Sequence, residues 1–596
     1  MFLAAQYYRP PFPQRRFWAD DMSRVRDAGL DGIQLWCVWG WIEGEQPGTF
    51  RYDDYDEIIQ AADQRGLKVV LSTIAEIHPF WIHREVPGAE LVDHLRRPVI
   101  SCTRNEVNVG LTPGGCFDHP QIAERMEAFL ADISARYAGQ GNLYGWDCWN
   151  ETRWNVHADG LTCFCEHTLA DFRNWLRRRY GDLDGLNRAW KRRYADWADV
   201  EPRKRTGGPF ASMIDFSRYQ SWRATEHARW RHDILRRNDI DHPITAHGPM
   251  PCVVCPPVTA EVPMCRGNDW ELADVLSGVG SSHFPISQSM STEYINLRLG
   301  QVKDASQGKA AWVSEIQGST SSVGYGGEQG VRRGPAPQQR WILDAVSRGY
   351  DAMIFWAWRD EVFCREAGKT GLAGNDGHAE KRFAAMRETR DLLNRHGALF
   401  DAHQADPPRV GVLWSPDGDY IDYARTGNIT DYMGGSLGYA MALERLGVPY
   451  RFVEAYHTDV AGELDVLIFP YAQIVSEPAR ELIRDVLARG GHVLVEAETD
   501  AYDEVGFFRY GDERPLLKEL GTKELGRRPL PEEETLTLRL DQRELPIPVR
   551  HFTTPLAPGE GAEVLARDDD GEALALRQPA GGGTAWVLGS FAGRPY

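Results

Sequence analysis

The 596-residue sequence predicts an α/β protein in two parts: a (β/α)8 TIM barrel over residues 1–400 and a C-terminal doubly wound α/β domain over residues 406–596. Three observations predict it. Short apolar runs alternate with amphipathic stretches for nearly 400 residues, the rhythm of parallel strands covered by crossover helices. About eight such units can be counted, the number that closes a barrel. At Asp406-Pro407-Pro408 the chain passes a proline break, and the same alternation then resumes with shorter strands.

The opening residues, Met1 to Phe12, read as a strand, and Asp31–Val38 (DGIQLWCV) as the next. A helix over 55–65 leads to a strand over 68–73, and a helix over 122–137 to a strand over 143–149. The stretch near 160–210 is rich in Arg and Trp and reads as helical insertions. Beyond it, a helix over 216–238 precedes strand candidates at 243–246, 275–281 and 311–314, and a helix over 338–348 precedes the last, 353–358. In the second part, strands over 410–414, 464–470 and 492–496 alternate with helices near 435–446 and 478–488, and residues 536–596 favour β structure, ending a trimerisation-like domain in a β-rich segment.

Composition narrows the function. With 67 basic against 86 acidic residues the net charge is −19, which repels phosphate backbones and anionic lipid, so neither nucleic acid nor a membrane surface is an expected partner. No apolar run approaches the ~20 residues that cross a bilayer, and no charged start leads into an apolar segment, so a cytoplasmic location is expected. Ten cysteines in a chain of this length fit reduced thiols. The 20 Trp, 22 Tyr and 22 Phe are the unusual figure. Rings beside carboxylates suit sugars, whose C–H faces stack on an aromatic while their hydroxyls bond to polar groups; core packing is the bland alternative for any single ring.

Reactive side chains of such a barrel stand at the C-terminal ends of its strands. Two carboxylates follow apolar runs there: Glu151, in Trp149-Asn150-Glu151, and Glu315, after Ser314. Two glutamates flanking a glycosidic bond are the minimal apparatus for its hydrolysis, one as proton donor and one as nucleophile or base. The spacing leaves retention and inversion both open.

The Trp149-Asn150-Glu151 motif with the later Glu315 resembles the paired strand-four and strand-seven glutamates of clan A glycoside hydrolases. The closest resemblance is to family 42, the β-galactosidases. Trp39 with Glu43, Gly48 and Phe50–Tyr55, the Pro79-Phe80-Trp81 loop, and the run from Cys163-Phe164-Cys165 to Ala189-Trp190 are similar to that family. The resemblance implies a retaining exo-β-glycosidase with Glu315 as nucleophile, Glu151 as acid/base and Asn150 bonding the sugar's 2-hydroxyl. It also implies pocket roles for Trp356 and Glu366, a homo-oligomer (a trimer), and a carbohydrate substrate.

Departures concentrate in the sugar pocket. A family histidine is Lys369 here, a strand-six tyrosine is Phe284, and a strand arginine is lost near Ile33-Gln34. A lysine there favours a glycone carrying an oxyanion. The other readings are therefore the same mechanism on an arabinopyranoside, fucoside, mannoside or uronide, or a carbohydrate-binding barrel without chemistry.

Cys116, Cys163 and Cys165 match three of the four zinc ligands of the family, with Thr168 at the fourth. Thiolates bind zinc tetrahedrally, so His119, His167 or water would complete a structural site; three metal-free thiols are the alternative. No cofactor is expected for catalysis. Cys252, Cys255 and Cys265 form a weaker cluster, and Gly324–Gly330 lacks the Lys-Ser/Thr of a phosphate cradle and reads as an entrance loop.

Overall fold

A computed structural model describes every residue except 100–114, 153–160, 254–265, 287, 320, 323–330, 333–335, 363–366, 404–405, 428 and 594–596. Eight strands form a closed barrel: β1 (Phe2–Tyr8), β2 (Gly32–Val38), β3 (Lys68–Ile74), β4 (Leu143–Asp147), β5 (Ile244–Gly248), β6 (Gly278–His283), β7 (Ala310–Gln317) and β8 (Ala352–Trp356). All neighbours are parallel, in the order β1-β8-β7-β6-β5-β4-β3-β2. Parallel strands covered by helices are buried on both faces, which is why they read as continuous apolar runs rather than alternating ones; every residue of β1, β2, β5 and β6 is buried. Phe2, Ala4, Val70, Trp312, Ala352 and Ile354 pack together from four different strands and fill the floor of the barrel.

Helices of the first 402 residues include α1 (Trp18–Asp27), α2 (Asp53–Asp63), α3 (Pro120–Tyr137), α4 (Glu166–Tyr180), α5 (Leu183–Trp190), α6 (Ala211–Arg236), α7 (Asp269–Val275), α8 (Thr292–Ala305), α9 (Ala336–Ser347) and α10 (Ala379–Ala402). The strand expected over 275–281 begins later. Val275 ends helix α7 and the strand begins only at Gly278. The Asn268 side chain starts that helix by accepting from Trp270 N at 3.0 Å, and Leu276 N closes its last turn on Leu272 O at 3.1 Å, so Val275 falls in the helix and not in the strand.

The chain divides into two compact units. The barrel unit comprises Met1–Phe172, Gln220–Cys252 and Cys265–Gln404; the second contains Arg173–Tyr219 and Ala405–Tyr596. The Arg- and Trp-rich stretch thus groups by its contacts mostly with the second unit, where Tyr180 and Trp190 both donate to the buried carboxylate of Asp215. Seven strands form the second unit's sheet: β9 (Val410–Trp414), β10 (Tyr450–Glu454), β11 (Val466–Phe469), β12 (His492–Val495), β13 (Glu563–Arg567), β14 (Ala573–Ala580) and β15 (Gly583–Leu588). Their order is β10-β9-β11-β12-β15-β14-β13, with β13 and β14 antiparallel. Among the described residues no helix is long and apolar enough to cross a membrane.

Candidate active site

Glu151 lies four residues beyond the last residue of β4, in a turn that holds it at φ +44°. A left-handed glutamate costs about 1–2 kcal/mol, and such strain persists only where the surroundings impose it. Here the backbone of His247 imposes it: His247 N donates to Trp149 O at 3.3 Å, and Thr152 N donates to His247 O at 2.9 Å. Strand β5 therefore clasps the turn on both sides of Glu151. Asn150 is buried in the same turn, and its Oδ1 has no hydrogen-bond partner among the described residues.

Glu315 stands inside β7, not at its end as the sequence reading placed it. The pairing shows why it still faces the barrel axis. Ser281 pairs with Val313, but the next residue of β6, Ser282, pairs with Glu315; on the other side Met353 pairs with Val313 and Phe355 with Ile316. One extra residue, Ser314, thus interrupts the ladder on both edges. Without this bulge the alternation would turn Glu315 outward; with it, Glu315 shares the inward side of Trp312.

The buried Glu315 carboxylate accepts from Ser282 Oγ at 3.3 Å and lies 3.8 Å from His247 Nε2. His247 Nδ1 in turn lies 3.1 Å from Asp147 Oδ2, which accepts from Ser72 Oγ at 2.9 Å. Burial raises Glu315 to about 7; the charge of Glu151 adds to that rise and His247 opposes it. For His247 burial acts downward, but the carboxylates of Asp147 and Glu315 outweigh it and carry the imidazole up to about 10.

Trp356 ends β8 and stacks obliquely on Trp36, ring centroids 4.9 Å apart. Trp36, Val38, Ile74, Ile77, Trp356 and Ala357 form an apolar cluster at the mouth, and Phe284 packs against it. The Arg9 guanidinium lies 5.0 Å and 5.4 Å from the Trp36 and Trp356 ring centroids and pairs with Glu361 at 3.3 Å. A cavity of about 190 Å³ lined by Gln6, Arg9, Arg359, Asp360 and Glu361 opens beside it. Lys369 is half-buried, its carbonyl accepting from Glu361 N at 3.3 Å. Glu366, Cys255, Cys265 and the Gly324–Gly330 loop lie outside the described residues. His247, Asp147, Ser282 and Arg9 escaped the sequence reading. For His247 the available signal was its place at the end of a strand, the same position that picked out Glu151.

Cys116, Cys163 and Cys165 come together with their sulfurs within 4.8 Å of one another. Val92 N and Cys165 N donate to Cys163 Sγ at 3.2 and 3.3 Å, and Thr168 N donates to Cys165 Sγ at 3.4 Å. Such N–H donors hold thiolates in place. Thr168 Oγ1 sits 3.3 Å from Cys116 Sγ and 3.2 Å from Cys165 Sγ and donates to Asp118 at 2.6 Å. The residues fit three bonds of a tetrahedral zinc site, with an oxygen at the fourth corner. His119 and His167 instead pack on each other, ring centroids 4.5 Å apart, and His119 Nδ1 caps α3.

A parallel eight-stranded barrel with two buried glutamates at its C-terminal rim is the architecture of a glycoside hydrolase. Comparison with known proteins names the family: the sequence profile of family 42, described as β-galactosidase, matches residues 7–395, and the chain belongs to that family. The β-galactosidase Bga of Halorubrum lacusprofundi is 24% identical over 620 residues, covering 96% of this chain and 82% of the relative. A β-galactosidase of Thermus thermophilus is 24% identical, covering 81% and 73%. The crystal structure of the β-galactosidase from Bacillus circulans sp. alkalophilus superposes with a TM-score of 0.84 at 19% identity, covering 99% and 86%, a likeness of fold. The protein is a β-galactosidase-like glycoside hydrolase.

Proposed function

We propose that the enzyme removes single terminal sugars from β-galactosides by a retaining double displacement, with Glu315 as nucleophile and Glu151 as acid/base. The observation that carries this reading is geometric: His247 joins the two glutamates, its backbone bonding Trp149 and Thr152 on either side of Glu151 and its Nε2 lying 3.8 Å from the buried Glu315 carboxylate; the charge of Glu151 also helps raise Glu315. Glu315 Oε attacks the anomeric carbon while Glu151 gives its proton to the departing glycosidic oxygen, leaving a glycosyl ester on Glu315. Glu151 then takes a proton from water, which attacks the same carbon, breaks the ester and restores the Glu315 carboxylate with the original anomeric configuration. Asn150 supports the reading as a bonding partner for the sugar 2-hydroxyl, and Trp356 as the wall on which the sugar stacks. The chain is proposed to act as a cytoplasmic homotrimer, with a structural zinc on Cys116, Cys163 and Cys165.

The glycone follows the relatives' names, and the rebuilt pocket makes it the first thing to measure. A panel of aryl β-galactosides, arabinopyranosides, fucosides, mannosides and glucuronides is assayed with the wild type, Glu315→Ala and Glu151→Ala. Fastest turnover on the galactoside, its loss in Glu315→Ala, and azide rescue of that variant to the α-glycosyl azide support the proposal. Full turnover by Glu315→Ala overturns the mechanism, and fastest turnover on another glycone overturns the sugar.

A further inference from the structure

We propose that His247, set between Asp147 and Glu315, is the positioning residue that aims Glu315 and favours its carboxylate form. The inference rests on the nucleophile role proposed for Glu315. Its starting point is the sequence departure at Phe284. That ring packs into the apolar cluster with Trp36 and Trp356 and has no hydroxyl to offer a carboxylate. Two other side chains meet Glu315 instead: Ser282, from the neighbouring β6, on Oε2, and His247, from β5 one strand further round, near Oε1.

Ser282 supplies one neutral hydrogen bond. His247 is the only cation of the described residues that forms an ion pair with Glu315, and it is fully buried. Its surroundings explain why it keeps its proton. From β4, Asp147 faces Nδ1 at 3.1 Å; from β7, Glu315 faces Nε2 at 3.8 Å, and the charge of Glu151 bears on Glu315. From β6 comes His283, which burial, Arg298 and His247 itself hold far below the usual imidazole range, so it brings no competing charge. Beyond Asp147 the Glu76–Arg231 pair is internally neutral. An imidazole between two carboxylates is favoured in its charged form by both; Asp147 makes the nearer approach, and the 3.8 Å contact with Glu315 is an ion pair rather than a hydrogen bond.

The same residue reaches the other glutamate through its backbone, whose N–H and C=O clasp Trp149 and Thr152 on either side of Glu151. A single strand end therefore fixes the turn of the proton donor and the charge of the nucleophile. The charges also balance through the reaction. When Glu315 becomes an ester its negative charge is consumed, and Asp147 remains to compensate the imidazolium, so His247 has no proton to lose between the two steps.

A 2-deoxy-2-fluoro aryl β-galactoside with a good leaving group is used to trap the nucleophile, and the pH dependence of inactivation is read by intact-protein mass with the label located by peptide mapping. In the wild type the label falls on Glu315; a label elsewhere sinks the nucleophile assignment itself. In His247→Gln and His247→Asn the backbone clasp and side-chain volume persist but the charge is gone. The acid limb of inactivation moves at least one pH unit higher, about tenfold in rate on the acid side, and exogenous imidazole restores His247→Ala below neutral pH. Melting curves and circular dichroism accompany each variant. Label on Glu315 with an unmoved acid limb in folded Gln and Asn variants, and no imidazole rescue, overturns the role of His247.

Discussion

The guanidinium of Arg231 lies 4.5 Å from the centroid of the Trp149 ring, and its Nη1 binds both Glu76 and the Cys148 carbonyl, the latter at 3.1 Å. Helix α6 thereby reaches under the turn that carries Asn150 and Glu151. Both partners of the ion pair are buried, Arg231 completely; burial pushes the Glu76 carboxyl up and Arg231 opposes it.

Breaking one side of that pair leaves the other charge uncompensated in the interior, which costs about 3–5 kcal/mol. Arg231→Met is therefore expected to lower the melting temperature of the barrel and, through the Trp149 turn, kcat. Arg231→Met with Glu76→Gln removes both charges and recovers most of the stability. Denaturant titration of the two single variants and the double variant checks this; equal losses in single and double variants would mean that the pair is not the cause.

Glu151→Gln removes a charge that raises Glu315, the opposite of what loss of His247 does. Glu315 starts at about 7, so the acid limb of kcat/KM moves to lower pH in this variant. A dinitrophenyl leaving group needs no proton and shows the shift with little loss of kcat/KM. Poor leaving groups lose about 10²–10⁴-fold, the usual worth of a proton donor. A pH–rate series on both substrates is the measurement, and an acid limb that moves upward refutes the coupling of the two glutamates.

How much of this was open to the sequence depends on which physical signal each element leaves. The barrel strands were legible because burial on both faces writes an apolar run, as in Gly32–Val38 or Ala352–Trp356. Glu315 was legible as a carboxylate after such a run, but its inward aim was not: the run does not show that Ser314 is an extra residue. His247 and Asp147 carry no such signal. One is a histidine, and the other is the last residue of its own apolar run, where a carboxylate makes sense only once its partner on β5 is known. Arg9 leaves no signal either: it comes from the segment after β1, and only its contacts with Glu361, Trp36 and Trp356 tie it to the mouth.

The bulge that aims Glu315 has little room around it. A Cβ on Gly280 would stand 2.1 Å from Ser314 Oγ and 2.8 Å from Trp312 O. The hydroxyl can rotate away, but the carbonyl belongs to the strand and cannot. Gly280→Ala is thus expected to cost about 1–3 kcal/mol as an overpacked core site and to lower kcat by shifting Glu315. Adding Ser314→Gly relieves only the hydroxyl contact, so recovery is partial. Full recovery of kcat in that double variant would mean that the carbonyl contact plays no part.

The three-sulfur cluster offers a prediction independent of the glutamates. Thr168 Oγ1 lies 3.3 Å from Cys116 Sγ and 3.2 Å from Cys165 Sγ, where the proposed zinc would need a fourth donor, but its proton goes to Asp118, which is also paired with Arg223 at 2.8 Å. A neutral hydroxyl is a far weaker zinc donor than a thiolate, and it leaves the ion more exposed to exchange. Thr168→Cys replaces that oxygen with a fourth sulfur at the end of the same Cys165–Thr168 turn. The variant is expected to retain one zinc per chain through a chelator challenge that strips the wild type, and to melt at a higher temperature with zinc bound. Elemental analysis after gel filtration, with and without chelator, reads the first effect, and thermal melts read the second. The gain has an opposing term, because Asp118 loses a hydrogen-bond donor while remaining buried beside Arg223 and His227. Metal-free Thr168→Cys should therefore melt below the metal-free wild type, and only the metal-loaded form above it. A variant that takes up no zinc would show that the three thiols are packed as thiols, with Arg223 rather than a metal as their neighbouring charge.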